Sequence, residues 1–82
     1  MRVTILYFAV TRDLVGTDRE DIELPSEIDG LSALRAWLAS RHPALEGRLG
    51  NVRFAVDEEL RPLEHPLHDG AVVALIPPVA GG

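Results

Sequence analysis

The amino-acid sequence predicts an α+β fold, a mixed sheet of about five strands with one main helix packed on one face. Three observations lead to it. Two runs, residues 2–9 and 71–76, are almost continuously apolar and rich in β-branched and aromatic types, as strands covered on both faces are. One stretch, residues 31–38, spaces its apolar residues by three and four, the signature of a helix with a single buried stripe. The chain has 82 residues and no internal repeat or linker. That leaves room for one domain, 1–82, burying about 60–65% of its unfolded surface.

Residues 2–9 read as a central strand. Residues 11–18 hold charges and Gly16 and read as a loop with one helical turn at 12–15. In residues 20–24, Ile22 and Leu24 alternate with acids, which suits a half-buried strand that Pro25 ends and that forms a hairpin with the first. Asp29 is placed to cap a helix whose stripe is Leu31, Leu34, Trp37 and Leu38, with Arg35 and Ser40 toward water. That helix stops near His42, because Pro43 disfavours helical geometry in the residue before it. Residues 44–50 connect, with a turn around Leu45 and Leu49. Val52, Phe54 and Val56 then alternate with Arg53 and Ala55 in a third strand, and Asp57-Glu58-Glu59 turns the chain into a short strand near Leu60 and Arg61. Asp69-Gly70 supplies the turn before the last strand, 71–76.

This order puts the two most apolar strands in the middle and the helix across one face, closing one core. The arrangement is the β-grasp of ubiquitin-like proteins. If Val3, Ile5 and Tyr7 face the helix, Leu6 and Phe8 project from the other side, since strand side chains alternate. Val73 and Leu75 face the core in the same way, which leaves Val72, Ala74 and Ile76 outward beside Leu6 and Phe8. Apolar groups clustered on an uncovered face make a docking patch.

Composition narrows the function. Thirteen acids against eight arginines and no lysine give a net charge of −5. That disfavours nucleic acid, whose phosphates demand basic surface, and favours an electropositive protein partner. Without lysine, no side-chain amine can be acylated, so the chain reads as donor of an acyl bond rather than acceptor. No run approaches a membrane span. The apolar run after Met1-Arg2 is too short for a signal peptide and leads into Thr11-Arg12-Asp13 instead of a cleavage site, so a cytoplasmic protein is expected.

Internal chemistry finds little support. There is no cysteine for a disulfide or metal site. His65 and His68 lack further ligands and have Pro66 between them, so no metal is expected. Glu58 and Glu59 are neighbours in a turn and point apart, unlike paired acid-base carboxylates. Residues 47–50 lack the lysine of a phosphate loop. His42 sits at a helix C-terminus, where partial positive charge is favourable.

The end of the chain is different. Pro77-Pro78-Val79-Ala80-Gly81-Gly82 follows the last strand directly. Two glycines without Cβ atoms can enter a narrow partner tunnel. The prolines cannot extend a ladder and hold the segment extended, so at about 3.3 Å per residue the four residues after Pro78 reach roughly 13 Å. Residues 77–82 are therefore expected to form a flexible tail that carries the Gly82 carboxylate away from the domain.

Leu6-Tyr7-Phe8-Ala9 followed by Arg12, Leu14 and Gly16, then Ala55-Val56, then His65-Pro66-Leu67 with Asp69-Gly70, and finally the Pro-Pro-Val-Ala-Gly-Gly block resemble the MoaD family, the small subunits of molybdopterin synthase, over essentially the whole chain. The C-terminal block is the most specific part. Gly-Gly alone also fits a ThiS-type carrier of the thiamine pathway, or a ubiquitin-like modifier that joins Gly82 to a target lysine; ThiS-type chains tend to be shorter and lack Pro-Pro-Val.

The resemblance implies a sulfur carrier, the donor subunit of a sulfurtransferase. A MoeB-like enzyme uses ATP to activate the Gly82 carboxylate as an acyl-adenylate, and persulfide sulfur replaces AMP to leave a thiocarboxylate. The tail then enters the MoaE-like large subunit, which supplies the catalytic side chains. Sulfur passes there to a cyclic pyranopterin monophosphate, building the dithiolene of molybdopterin. ATP belongs to the adenylating partner, and this chain binds no cofactor. The same resemblance implies that Phe8, Leu60 and Ile76 contact the large subunit, that Arg12 is the family arginine after the first strand, and that Pro77, Pro78, Val79 and Ala80 lead Gly81 and Gly82 into the partner. Two departures stand out: Ile76 where an aromatic is common, and Asp57 where asparagine is usual.

Overall fold

Five strands form one mixed sheet in the computed structural model, which describes residues 1–78. β1 (Arg2–Tyr7) and β5 (Val72–Ile76) run parallel, side by side. β2 (Arg19–Glu23) pairs antiparallel with the outer edge of β1, while β3 (Arg53–Val56) and β4 (Glu59–Arg61) continue antiparallel beyond β5. The order β2-β1-β5-β3-β4 sets the two most apolar runs side by side inside the sheet, as their composition predicts. Both are slightly shorter than the apolar runs. β1 stops at Tyr7 because a turn begins at Phe8, and Ala71 stays outside β5 with its N–H donating to the His68 carbonyl.

The stretch predicted as a loop with one helical turn is a six-residue helix, α1 (Val10–Val15). Gly16 ends it at φ 90, a left-handed conformation, with its N–H donating to the Arg12 carbonyl at 2.8 Å. The main helix, α2 (Leu31–Arg41), covers one face of the sheet. Leu31, Leu34 and Leu38 are fully buried in a single core with Val3, Ile5, Tyr7, Phe54, Val73 and Leu75. Each such leucine contributes about 2 kcal/mol by leaving water. Trp37 is only half-buried and lies under the Arg41 guanidinium, 5.4 Å from the ring centroid.

Asp29 does not cap α2. Gly30 occupies the N-cap with no side-chain hydrogen bond, and the N–H groups of Leu31 and Ser32 donate to the carbonyls of His65 and Leu63 at 3.1 and 3.0 Å. The loop between β4 and β5 thus supplies acceptors for donors that a helix start leaves unpaired. Asp29 contributes its carbonyl instead, which accepts from Leu67 N–H at 2.8 Å. At the other end His42, extended before Pro43, closes the helix with its N–H on the Leu38 carbonyl. One 3₁₀ turn follows (Pro43–Leu45) in the stretch where a turn is expected, and Leu45 and Leu49 are buried.

Candidate functional site

The face of the sheet opposite α2 carries an apolar row fixed by strand register. Leu60 lies across from Ala55, Ala55 from Ala74, and Ala74 beside Leu6. Paired residues project to the same side, so the row crosses four strands. Leu6, Val72 and Ala74 are half-buried, whereas Phe8, Leu60 and Ile76 are 48%, 52% and 37% exposed. Since β1 and β5 are parallel, with Tyr7 beside Leu75, Phe8 and Ile76 emerge at the same end of the sheet. Ala55 departs from simple alternation: it belongs to this face yet is buried, its short side chain lying between Leu60 and Ala74 on the flanking strands.

Arginines border the row. Arg19 lies opposite Leu6 and Arg53 opposite Ile76. Arg12 and Arg19 line an open indentation of about 240 Å³ together with Leu6, Tyr7, Phe8 and Asp18. Asp21, opposite Thr4, accepts from the Thr4 hydroxyl at 2.7 Å and from Arg19 at 3.4 Å, and these partners hold its carboxyl below the usual aspartate range. Although the whole chain is acidic, a protein docking on this face meets three guanidinium groups. Opposing carboxylates fit that border better than the electropositive surface expected from net charge alone.

Phe8 is presented by a tight turn that sequence patterning does not disclose. Thr11 N–H donates to the Phe8 carbonyl at 3.1 Å, and Ala9 between them has φ 52 and ψ −128. That is the first central position of a type II′ turn, normally glycine. For an L-residue it costs on the order of 1–3 kcal/mol. The Thr11 hydroxyl is fully buried; it donates to the Phe8 carbonyl at 2.6 Å and accepts from the Phe8 N–H at 3.1 Å. The one available signal was a threonine three residues after Phe8, a spacing that allows side-chain bonding back to the backbone.

Two polar clusters steady the strands around this face. Glu20 Oε1 accepts from the Tyr7 hydroxyl at 2.7 Å and lies 2.6 Å from His42 Nε2, while Arg41 donates to Oε2 at 3.3 Å. Burial pushes the Tyr7 phenol up, and the Glu20 bond adds to this. For Glu20, burial acts to raise the carboxyl, but the bonds from Tyr7, His42 and Arg41 outweigh it and leave the group low. His42, expected to serve the helix end, also stacks edge-on against Tyr7 at 5.9 Å.

At the far end of the sheet, Asp57 and Glu58 both have positive φ, the mark of a two-residue type I′ hairpin. Asp57 Oδ1 accepts from Val72 N–H at 3.0 Å, and Oδ2 lies 2.7 Å from His68 Nε2. The Val72 and His68 bonds hold the Asp57 carboxyl down; the Asp57 bond in turn raises His68. His68 is thus a partner of Asp57, and among the described residues no three His, Cys, Asp or Glu side chains group to hold a metal ion.

Of the residues predicted to act, the structure puts Phe8, Leu60 and Ile76 on one face and Arg12 beside Phe8. Pro77 is buried and Pro78 exposed, both directly beyond β5. Val79, Ala80, Gly81 and Gly82 lie outside the described residues. No helix of the described residues is long and apolar enough to cross a membrane.

A β-grasp with an open apolar face, whose central strand leads through Pro-Pro to Gly-Gly, defines a ubiquitin-like carrier. Comparison with known proteins gives the class its name. The chain belongs to the ThiS family, whose model matches residues 5–82, and within it to the molybdopterin synthase sulfur carrier subunits. The carrier subunit of Escherichia coli (strain K12) is 39% identical, covering 98% of this chain and 99% of that protein. A solved complex of subunits 1 and 2 of molybdopterin-converting factor from Helicobacter pylori contains a chain 30% identical, with a TM-score of 0.69 and full coverage of both. SAMP1 of Haloferax volcanii shares the fold at a TM-score of 0.85, full coverage and 23% identity. Molybdopterin synthase sulfur carrier subunits form one part of an enzyme, molybdopterin synthase.

Proposed function

We propose that the Gly82 carboxylate is the group that carries sulfur, and that the arginine-bordered apolar face docks a MoaE-like large subunit while residues 77–82 reach its active centre. The observation that carries this reading is the full-length kinship to sulfur carrier subunits, through a family match that extends to Gly82. A carboxylate is a poor electrophile, because its oxygen leaves badly. Transfer of AMP from ATP by a MoeB-like enzyme, releasing pyrophosphate, turns that oxygen into a leaving group. The terminal sulfur of a protein persulfide then displaces AMP to give an acyl disulfide, and a second thiol cleaves its S–S bond, forming a disulfide with the donor cysteine and releasing the thiocarboxylate.

In the large subunit the thiocarboxylate sulfur bonds to a carbon of the cyclic pyranopterin monophosphate, water cleaves the resulting thioester and returns Gly82 to the carboxylate, and two such transfers build one dithiolene. This chain supplies reach and the reacting carbonyl, and the partner's site supplies orientation and acid-base groups. Docking of a subunit-2 protein on the related Helicobacter pylori chain supports the choice of partner. The dependence on ATP is consistent with a cytoplasmic setting.

Reconstitution with both partners tests the reading. Deleting Gly82, or adding residues after it, should abolish sulfur transfer and leave the melting transition unchanged. Retained transfer by either variant would refute the tail mechanism.

A further inference from the structure

We propose that Thr11 is a positioning residue for partner docking: its buried hydroxyl clamps the turn from Phe8 to Thr11 in the conformation that stands the Phe8 ring out on the open face. The inference rests on the reading of Phe8 as a contact of the large subunit. An exposed aromatic at the end of a strand ordinarily samples several backbone arrangements, and ordering it on binding weakens affinity. Here both backbone polar groups of Phe8 converge on one oxygen. The Phe8 N–H donates to Thr11 Oγ1, and Thr11 Oγ1 donates to the Phe8 carbonyl, which also accepts the Thr11 N–H.

Thr11 is fully buried, so water does not compete for its hydroxyl. Opposing the clamp is Ala9, whose φ of 52 and ψ of −128 favour relaxation toward a less strained turn. The hydroxyl therefore sets the population of the presenting conformation. Arg12 is the next residue along and shares the indentation with Phe8, so the same clamp also places its guanidinium.

Calorimetric titration of the full-length chain with a purified MoaE-like large subunit tests the clamp. Thr11→Val keeps the volume and removes the hydroxyl; it should bind roughly 10-fold more weakly while still folded, because the competent turn is depopulated. Thr11→Ser retains the hydroxyl and should stay within about 3-fold of the parent. Adding Ala9→Gly to Thr11→Val should restore about half of the lost affinity on a logarithmic scale, since glycine holds this turn without strain. A packing role for Thr11 would be met by valine and would not respond to a glycine two residues away.

Parent-like binding by Thr11→Val while Phe8→Ala is weakened would overturn the clamp and leave the docking reading intact. Parent-like binding by Phe8→Ala would remove the docking role of Phe8, and the proposal with it. Should Thr11→Val fail to fold, amide hydrogen exchange of the parent decides. Strong protection of the Phe8 N–H beneath its solvent-exposed ring is expected, and exchange at the rate of an unstructured amide would overturn the clamp.

Discussion

Replacing Phe8 with alanine isolates the contribution of the open face to partner docking. The side chain of a phenylalanine offers about 200 Å². With Phe8 48% exposed, roughly 100 Å² of ring remains in water in the free chain and is available to a partner. At about 25 cal/mol per Å², and allowing for the β-carbon that alanine keeps, burial of that area is worth ~2 kcal/mol, or ~30-fold in Kd. Phe8 is absent from the packed core, so its truncation should cost the domain less than ~1 kcal/mol, a fall in melting temperature of no more than about 6 °C. Calorimetric titration against a MoaE-like subunit, paired with thermal melts followed by circular dichroism, reads both quantities. A Kd within twofold of the parent would show that this face is not the docking surface. Unfolding of the variant would show that the ring belongs to the core and that the strand faces are reversed.

Two further outcomes concern the polar clusters. Glu20→Ala leaves the buried Tyr7 hydroxyl without its acceptor and should cost about 2 kcal/mol, lowering the melting midpoint by roughly 10 °C; adding Tyr7→Phe should recover part of the loss. A change below about 0.5 kcal/mol in urea unfolding would mean that the cluster contributes nothing net. The pair formed by Asp57 and His68 sets a pH window. The lowered Asp57 adds stability present above its unfolded pKa near 4 and lost as pH falls through the folded value. The raised His68 adds stability present below its unfolded pKa near 6.5 and lost as pH rises through the folded value. Thermal melts of parent and Asp57→Asn should therefore differ most between about pH 4 and 6.5, converge below that window as the carboxylate takes up its proton, and narrow without vanishing above it as His68 loses its proton while the Val72 bond persists. A difference that is flat with pH would refute the pairing.

Period-two alternation made the sheet legible. Val3, Ile5 and Tyr7 inward, with Leu6, Phe8, Val72, Ala74 and Ile76 outward, needs only the chirality of a strand and one buried face. The helix was equally plain from Leu31, Leu34 and Leu38. Its start was misread because an aspartate before a helix is a local cap signal, whereas here the acceptors come from Leu63 and His65, distant in sequence. α1 was underestimated for a related reason: a six-residue helix held by the turn at Ala9 has no long apolar period to announce it.

Within the candidate site, alternation pointed to Phe8 and Ile76. Leu60 on the short edge strand and Arg12 after the first strand entered only through family resemblance. The Glu20 cluster was invisible, since it joins β2, β1 and the end of α2 and exists only once they pack. Thr11 was likewise hidden in a predicted loop, because its role depends on a backbone conformation that alanine rarely adopts.

Intact-mass measurement of the full-length chain, after incubation with a MoeB-like enzyme, ATP, a persulfide donor and a thiol reductant, tests the central claim most directly. One oxygen should be exchanged for sulfur, with fragmentation assigning the change to Gly82, and no exchange should occur when ATP is omitted. An unchanged mass, or capture of the chain only as larger covalent conjugates, would contradict the assignment of Gly82 as the sulfur-carrying group.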